Sequence, residues 1–104
     1  MTNEMKISYV QMNPTVGDIG LNTSKILSFY EQALDEATDL VIFPEFSIGG
    51  YPPEDLVSKP AFQEKAIKAL ENLALKTKNN KTAMLVGGPR IEPGKLYNSF
   101  FLLD

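Results

Sequence analysis

Apolar positions along this chain switch between two spacings. Ile7-Ser-Tyr-Val-Gln-Met12 is short, β-prone at Ile7, Tyr9 and Val10, and stopped by Asn13-Pro14, which predicts a first strand over Ile7–Met12. Pro14 to Gly20 reads as a loop. Ile26, Leu27, Tyr30, Ala33, Leu34 and Ala37 then recur at helical spacing, so an amphipathic helix is expected over 23–37, with Asn22 or Thr23 as its N-cap. Asp39–Phe43 carries an apolar run with the length of a buried strand, ended by Pro44 and followed by a loop over 44–59. Pro60 suits the first turn of a second helix, whose apolar face is Phe62, Ala66, Ala69, Leu70, Leu73 and Ala74. Lys76 and Lys78 sit where the helix dipole is negative, and Asn79-Asn80-Lys81 forms the exit. Thr82–Gly87 reads as a third strand, Glu92-Pro93-Gly94-Lys95 as a turn, and Leu96–Leu103 as a fourth strand.

The element order is therefore β-α-β-α-β-β. Helical crossovers between the first three strands favour parallel pairing, and the short last turn predicts an antiparallel hairpin. The expected class is α/β with a mixed sheet. There is no internal repeat, low-complexity tract or linker.

Composition narrows the functional classes. A chain of 104 residues makes one domain at most, with 43% hydrophobic and 22% charged residues, as in ordinary globular proteins. A net charge of -3 gives no support for nucleic-acid binding, which calls for a basic patch. The N-terminus lacks the basic and apolar regions of a secretory signal, and no apolar run approaches the roughly 18 residues of a membrane span. The expected location is the cytoplasm. The chain has no Cys and no His. Neither a thiol nor an imidazole can therefore assist any catalytic group it carries.

The candidate chemistry centres on Glu45. It follows the second strand at once, and a strand end holds a reacting group rigidly while the loop beyond shapes a pocket. A lone Glu in such a place is more often a solvated or capping carboxylate, so its neighbours have to decide. Glu54 and Asp55 are adjacent carboxylates without a His partner, which fits a helix first turn better than a metal site. Gly87-Gly88 is followed by Pro89 and not by a helix, so it reads as a close backbone approach or bulge rather than a phosphate loop. Ser47, Ser58 and Ser99 have no His to activate them.

The neighbours do decide. Gln11-Met-Asn-Pro-Thr-Val-Gly-Asp18, Phe43-Pro-Glu45 and Gly50-Tyr-Pro-Pro-Glu-Asp-Leu56 occur in this order, followed by Gly87-Gly-Pro-Arg90 and Tyr97-Asn-Ser99. Together they resemble the start of the nitrilase (carbon–nitrogen hydrolase) superfamily. More narrowly, they resemble the glutaminase domain of the glutamine-dependent NAD synthetases. The implied fold is a partial nitrilase-like α-β-β-α sandwich, with residues 1–104 as the N-terminal portion of a single glutaminase domain and the synthetase domain absent.

The resemblance implies an amidase built on Glu, Lys and Cys, in which a thiol attacks the glutamine amide, the carboxylate moves protons, and the lysine stabilises the oxyanion. Glu45 matches the family carboxylate; the family lysine and cysteine lie beyond Asp104. Tyr51 is a candidate for lining the glutamine pocket, although an aromatic in a Gly-Gly-Tyr-Pro-Pro turn more often packs on the core. No metal site is expected, and no cofactor in this chain; ATP and Mg belong to the synthetase domain of the parent. The implied parent hydrolyses glutamine and passes ammonia to ATP-dependent amidation of nicotinic acid adenine dinucleotide, while this chain alone is expected to be inactive. The alternatives are a piece of another nitrilase-type amidase, or a non-catalytic module that pairs with intact subunits; a flavodoxin-like binding domain is a weaker fallback. Half of a two-sheet sandwich would leave one sheet face bare and Phe100, Phe101, Leu102 and Leu103 partly exposed, so a homo-oligomer or association with the remainder of the parent is expected.

Overall fold

A computed structural model describes residues 4–15, 17–44, 47–49, 59–92 and 95–104. Among the described residues, four strands and two helices alternate along the chain: β1 (Ile7–Tyr9), α1 (Ile19–Asp35), β2 (Leu40–Ile42), α2 (Pro60–Lys78), β3 (Ala83–Glu92) and β4 (Lys95–Leu103). The strands form one sheet in the order β1-β2-β3-β4. β1, β2 and β3 are parallel, and β4 runs antiparallel to β3. This is the expected mixed α/β sheet.

The topology fixes where the helices go. Crossovers between parallel strands are almost always right-handed, and two taken in the same direction across the sheet place both helices on one face. α1 and α2 accordingly pack against each other and share one core. Ile26, Tyr30 and Ala33 from α1 meet Phe62, Ala66, Ala69 and Leu73 from α2 over Val41, Phe43, Met84 and Val86 of the strands. Strand residues alternate between faces, and the other face carries Tyr9, Ile42, Leu85 and Leu102 in register across all four strands. Tyr9 is 69% and Leu102 65% exposed, and Ile7 and Phe100 beside them are half exposed. Phe101 and Leu103 turn to the helix side and pack on the core. The expected bare face is present, split residue by residue by the strand period.

Helix α1 begins four residues before the expected position. Asp18, not Asn22 or Thr23, is the N-cap, and its carboxylate accepts the Leu21 N–H at 3.0 Å. Gly17, at φ 75°, makes the preceding turn. The polar Asn22 looks like a helix boundary in sequence, yet it lies on the same buried stripe as Ile19, Ile26, Tyr30 and Ala33. The helix also ends earlier, at Asp35. Ala37 takes a left-handed conformation, φ 56°, while its N–H donates to Leu34 O and that of Thr38 to Ala33 O. These two bonds close a Schellman motif in which alanine occupies the place usually held by glycine.

β1 stops at Tyr9, three residues short of the expected end, although Val10 N still donates to Ile42 O at 2.9 Å. β3 runs on to Glu92, through Gly87-Gly88-Pro89, where the sequence suggested an end. The β3–β4 register is continuous with no bulge. Leu85 O and Gly87 O accept bonds from Phe43 N and Ile48 N, so odd-numbered β3 residues present their backbone to the β2 side. By alternation Pro89 faces that side too, beyond the last β2–β3 pair, so its missing N–H removes no bond to β4.

Candidate functional site

Parallel pairing brings the carboxyl ends of β1 and β2 to the same edge of the sheet, where open α/β sheets generally bind ligands. There the exits of the two strands enclose an open hollow of about 540 Å³. Tyr9, Val10, Gln11, Met12 and Asn13 line it from the β1 side and Pro44 from the β2 side. Gln11 and Asn13 are exposed and bring carboxamides to the rim, while Tyr9 contributes an aromatic wall. Such a mix of one apolar surface and a few convergent polar groups suits a small polar ligand. Glu45 follows Pro44 in sequence. Glu45 itself, Tyr51, Glu54, Asp55 and Ser58 lie outside the described residues.

The chain on both sides of Glu45 is held firmly. Before it, Phe43 is fully buried and its N–H donates to Leu85 O at 2.9 Å. After it, Ser47 and Ile48 are fully buried and bound to Gly87. Gly87 N donates to Ser47 Oγ at 3.1 Å, Ser47 Oγ donates to Gly87 O at 3.3 Å, and Ile48 N donates to the same carbonyl at 3.2 Å. Leu85 and Gly87 are two residues apart on one strand, about 6.7 Å. Both anchors flanking residues 44–46 therefore rest on the same rigid element. Ser47, a nucleophile only in name, is a fastener.

Gly88 serves the same junction. A Cβ there would meet Ile48 Cδ1 at 3.2 Å and Phe101 Cε2 at 3.8 Å, so the absence of a side chain lets Ile48 seat against β3. This is the close backbone approach expected for the Gly-Gly pair. On the other side, Gly17 N donates to Gly49 O at 2.9 Å, which ties the β1 exit loop to the β2 exit loop.

Sequence reasoning missed the residue that joins these loops. Asn22 is fully buried, and its side chain accepts the Thr15 N–H at 2.6 Å and donates to Thr15 O and Ile48 O, both at 2.8 Å. The available signal was a polar residue on the apolar stripe of a helix, which must find partners wherever it is buried.

The polar groups at the opposite edge are of another kind. Tyr30 OH donates to Thr82 O at 2.7 Å, and Thr82 Oγ1 donates to Thr38 O at 2.5 Å. Burial pushes the Tyr30 phenol above its ordinary pKa, with smaller contributions from the carboxylates of Glu31 and Asp104. This cluster, at the strands' amino ends, holds the fold and faces away from the hollow. Among the described residues no group of three or more His, Cys, Asp or Glu is placed to hold a metal ion.

Known proteins resemble this chain in sequence and share its fold. The sequence profile of the carbon–nitrogen hydrolase family matches residues 6–104. The glutamine-dependent NAD(+) synthetase of Rhodobacter capsulatus is 35% identical over 103 residues, which are 99% of this chain and 18% of that protein. The Aquifex aeolicus protein of the same name is 35% identical over 99 residues, 95% of this chain and 17% of its own. The structure of glutamine-dependent NAD+ synthetase from Acinetobacter baumannii superposes with a TM-score of 0.83 at 34% identity, covering 94% of this chain and 18% of that one. An amidase from Nesterenkonia sp. shares the fold, with a TM-score of 0.82 at 21% identity over 94% of this chain and 37% of its own. The chain spans less than a fifth of the length of the synthetases it resembles. With the profile covering nearly every residue and the fold in agreement, this chain belongs to the carbon–nitrogen hydrolase family.

Proposed function

We propose that this chain supplies the carboxylate-bearing part of a glutamine-hydrolysing site, as the first portion of the glutaminase domain of a glutamine-dependent NAD synthetase. The observation that carries the reading is the hollow at the carboxyl ends of β1 and β2, with Pro44 on its wall and Glu45 next in the chain. The similarity to glutamine-dependent NAD synthetases at 35% identity supports glutamine as the amide. The 21% identity to the Nesterenkonia amidase favours that alternative less.

In this reading Glu45 is the general base. It takes the proton of an attacking thiol, returns it to the departing ammonia, and then activates the water that releases glutamate. The thiol comes from elsewhere. A mutant of the Nesterenkonia amidase shows covalent addition of the acetamide moiety of fluoroacetamide at the active-site cysteine, and this chain has no cysteine. Tyr51 lines the glutamine pocket. ATP and Mg²⁺ act in the synthetase domain of the parent, which consumes the ammonia. None of the described helices is long and apolar enough to cross a membrane, which agrees with a cytoplasmic setting.

The polypeptide alone is expected to leave glutamine intact. In the parent, Glu45→Gln is expected to lower glutamine hydrolysis severely while synthesis fed with free ammonia survives; equal loss of both activities would make Glu45 structural. The bare apolar row of Tyr9, Ile42, Leu85 and Leu102 is covered in the assembled protein by a second copy or by the remainder of the parent. Light scattering of the isolated chain is expected to show association, and a monodisperse monomer would contradict it.

A further inference from the structure

We infer that Asn22 is a positioning residue for the Glu45 loop, an inference that rests on the glutaminase reading only for its consequence in catalysis. Its carboxamide bonds to both strand exits, taking Thr15 N–H and giving its two N–H groups to Thr15 O and Ile48 O. Thr15 belongs to the loop that continues from the hollow's β1 wall, and Ile48 stands three residues after Glu45. Asn22 also sits on the buried face of α1, fully inaccessible to solvent and locked between Ile19 and Ile26 on the same stripe.

The chemistry requires an amide here. One acceptor faces an N–H and two donors face two carbonyls, so the site uses three of the four hydrogen-bonding positions of a carboxamide. An aspartate could accept from Thr15 but would set its charge against two carbonyl oxygens. A leucine of similar size would fill the space and leave all three backbone groups unpaired by it. The Gly17–Gly49 bond beside it spans the same two loops and would remain. The hollow's β1 wall and the Glu45 loop are thus registered to each other through one side chain, with Gly87 of β3 as the third support.

The test is native-state hydrogen exchange on the full chain. With Asn22→Leu, the amides of Thr15, Gly17 and Ile48 are expected to lose about tenfold or more in protection, while those of Val10, Phe43 and Ala83 in the sheet hold. A uniform loss across both sets, or no loss at Thr15 and Ile48, overturns the inference. Should Asn22→Leu fail to fold, Asn22→Asp serves. Protonating the introduced carboxyl restores one donor, so loop protection relative to the sheet is expected to recover as pH falls; a ratio flat with pH overturns the inference. In the parent, Asn22→Leu is expected to lower kcat for glutamine about tenfold or more with a smaller change in KM, while ammonia-fed synthesis persists. Equal loss of both activities refutes the positioning role. If Glu45→Gln leaves glutamine hydrolysis unchanged, the glutaminase reading fails, while the exchange result still judges the clamp.

Discussion

Replacing Ser47 by alanine isolates one of the supports beneath the Glu45 loop. Alanine keeps the Cβ and deletes only Oγ, so little packing is lost in a position that is fully buried. The oxygen has two roles, accepting from Gly87 N at 3.1 Å and donating to Gly87 O at 3.3 Å. The two losses are unequal. Gly87 O keeps the bond from Ile48 N at 3.2 Å, so the carbonyl remains paired. Gly87 N–H is left without that acceptor in a buried place, and an orphaned donor costs about 1–3 kcal/mol. A loss of ~2 kcal/mol, with a urea m-value of roughly 1–3 kcal/mol per molar, moves the unfolding midpoint down by about 0.7–2 M. Urea unfolding followed by tyrosine fluorescence or circular dichroism measures this directly. Ser47→Cys is expected to fall between wild type and alanine, because a thiol is a weak partner of both kinds. A loss below ~0.5 kcal/mol at unchanged slope, the range of ordinary surface substitutions, would refute the reasoning. The Ser47–Gly87 exchange would then contribute no more than two bonds to water.

Two further outcomes follow from features away from the hollow. Ala37→Gly is expected to raise stability by about 0.5–1 kcal/mol, because left-handed backbone costs an L-residue roughly 1–2 kcal/mol and glycine's extra unfolded-state freedom returns part of that gain; a lowered thermal midpoint would contradict the Schellman geometry at φ 56°. The Tyr30 phenol has its pKa raised above the ordinary value of 10.0, so the folded chain holds that proton more tightly than the unfolded chain does. Its stabilising effect is complete below that value and is lost as pH rises through the folded pKa. Tyr30→Phe is expected to flatten the alkaline fall in stability while costing about 1 kcal/mol at neutral pH for the lost bond to Thr82 O. Parallel pH–stability curves for the two proteins would refute this.

What was legible in the sequence was whatever depends on neighbours along the chain. The element order, the two helix faces and the strand ending at Pro44 come from periods and punctuation within a dozen residues. Three of the misplaced boundaries have reasons that lie elsewhere in the fold. Asn22 looked like a cap because polarity usually marks the edge of a helical stripe; the Thr15 backbone and the distant Ile48 carbonyl together make a buried carboxamide tolerable there. β3 seemed to end at Gly87-Gly88-Pro89, yet Pro89 costs nothing on a side where β2 has already stopped. β1 seemed longer because the first stop signal after it is Asn13-Pro14, although the partner strand ends at Ile42. The residues that steady the Glu45 loop, Ser47, Gly87, Gly88 and Asn22, are tied by bonds and contacts of long sequence separation; the Gly87-Gly88 pair announces a close approach, but no local pattern names the partners.

One topological fact underlies both the site and the bare face. Strands taken in the order β1-β2-β3 with right-handed helical crossovers must carry both helices on the same side. That order sets the carboxyl ends of β1 and β2 next to each other, which creates the hollow beside Pro44. It also leaves Tyr9, Ile42, Leu85 and Leu102 on the face that neither described helix covers. Tyr9 belongs to both, since it lines the hollow and stands in the uncovered row. Whatever covers that row must therefore meet the rim of the hollow. In the glutaminase proposed above, the groups that lie beyond this chain therefore reach the hollow from the same side on which the sheet is covered.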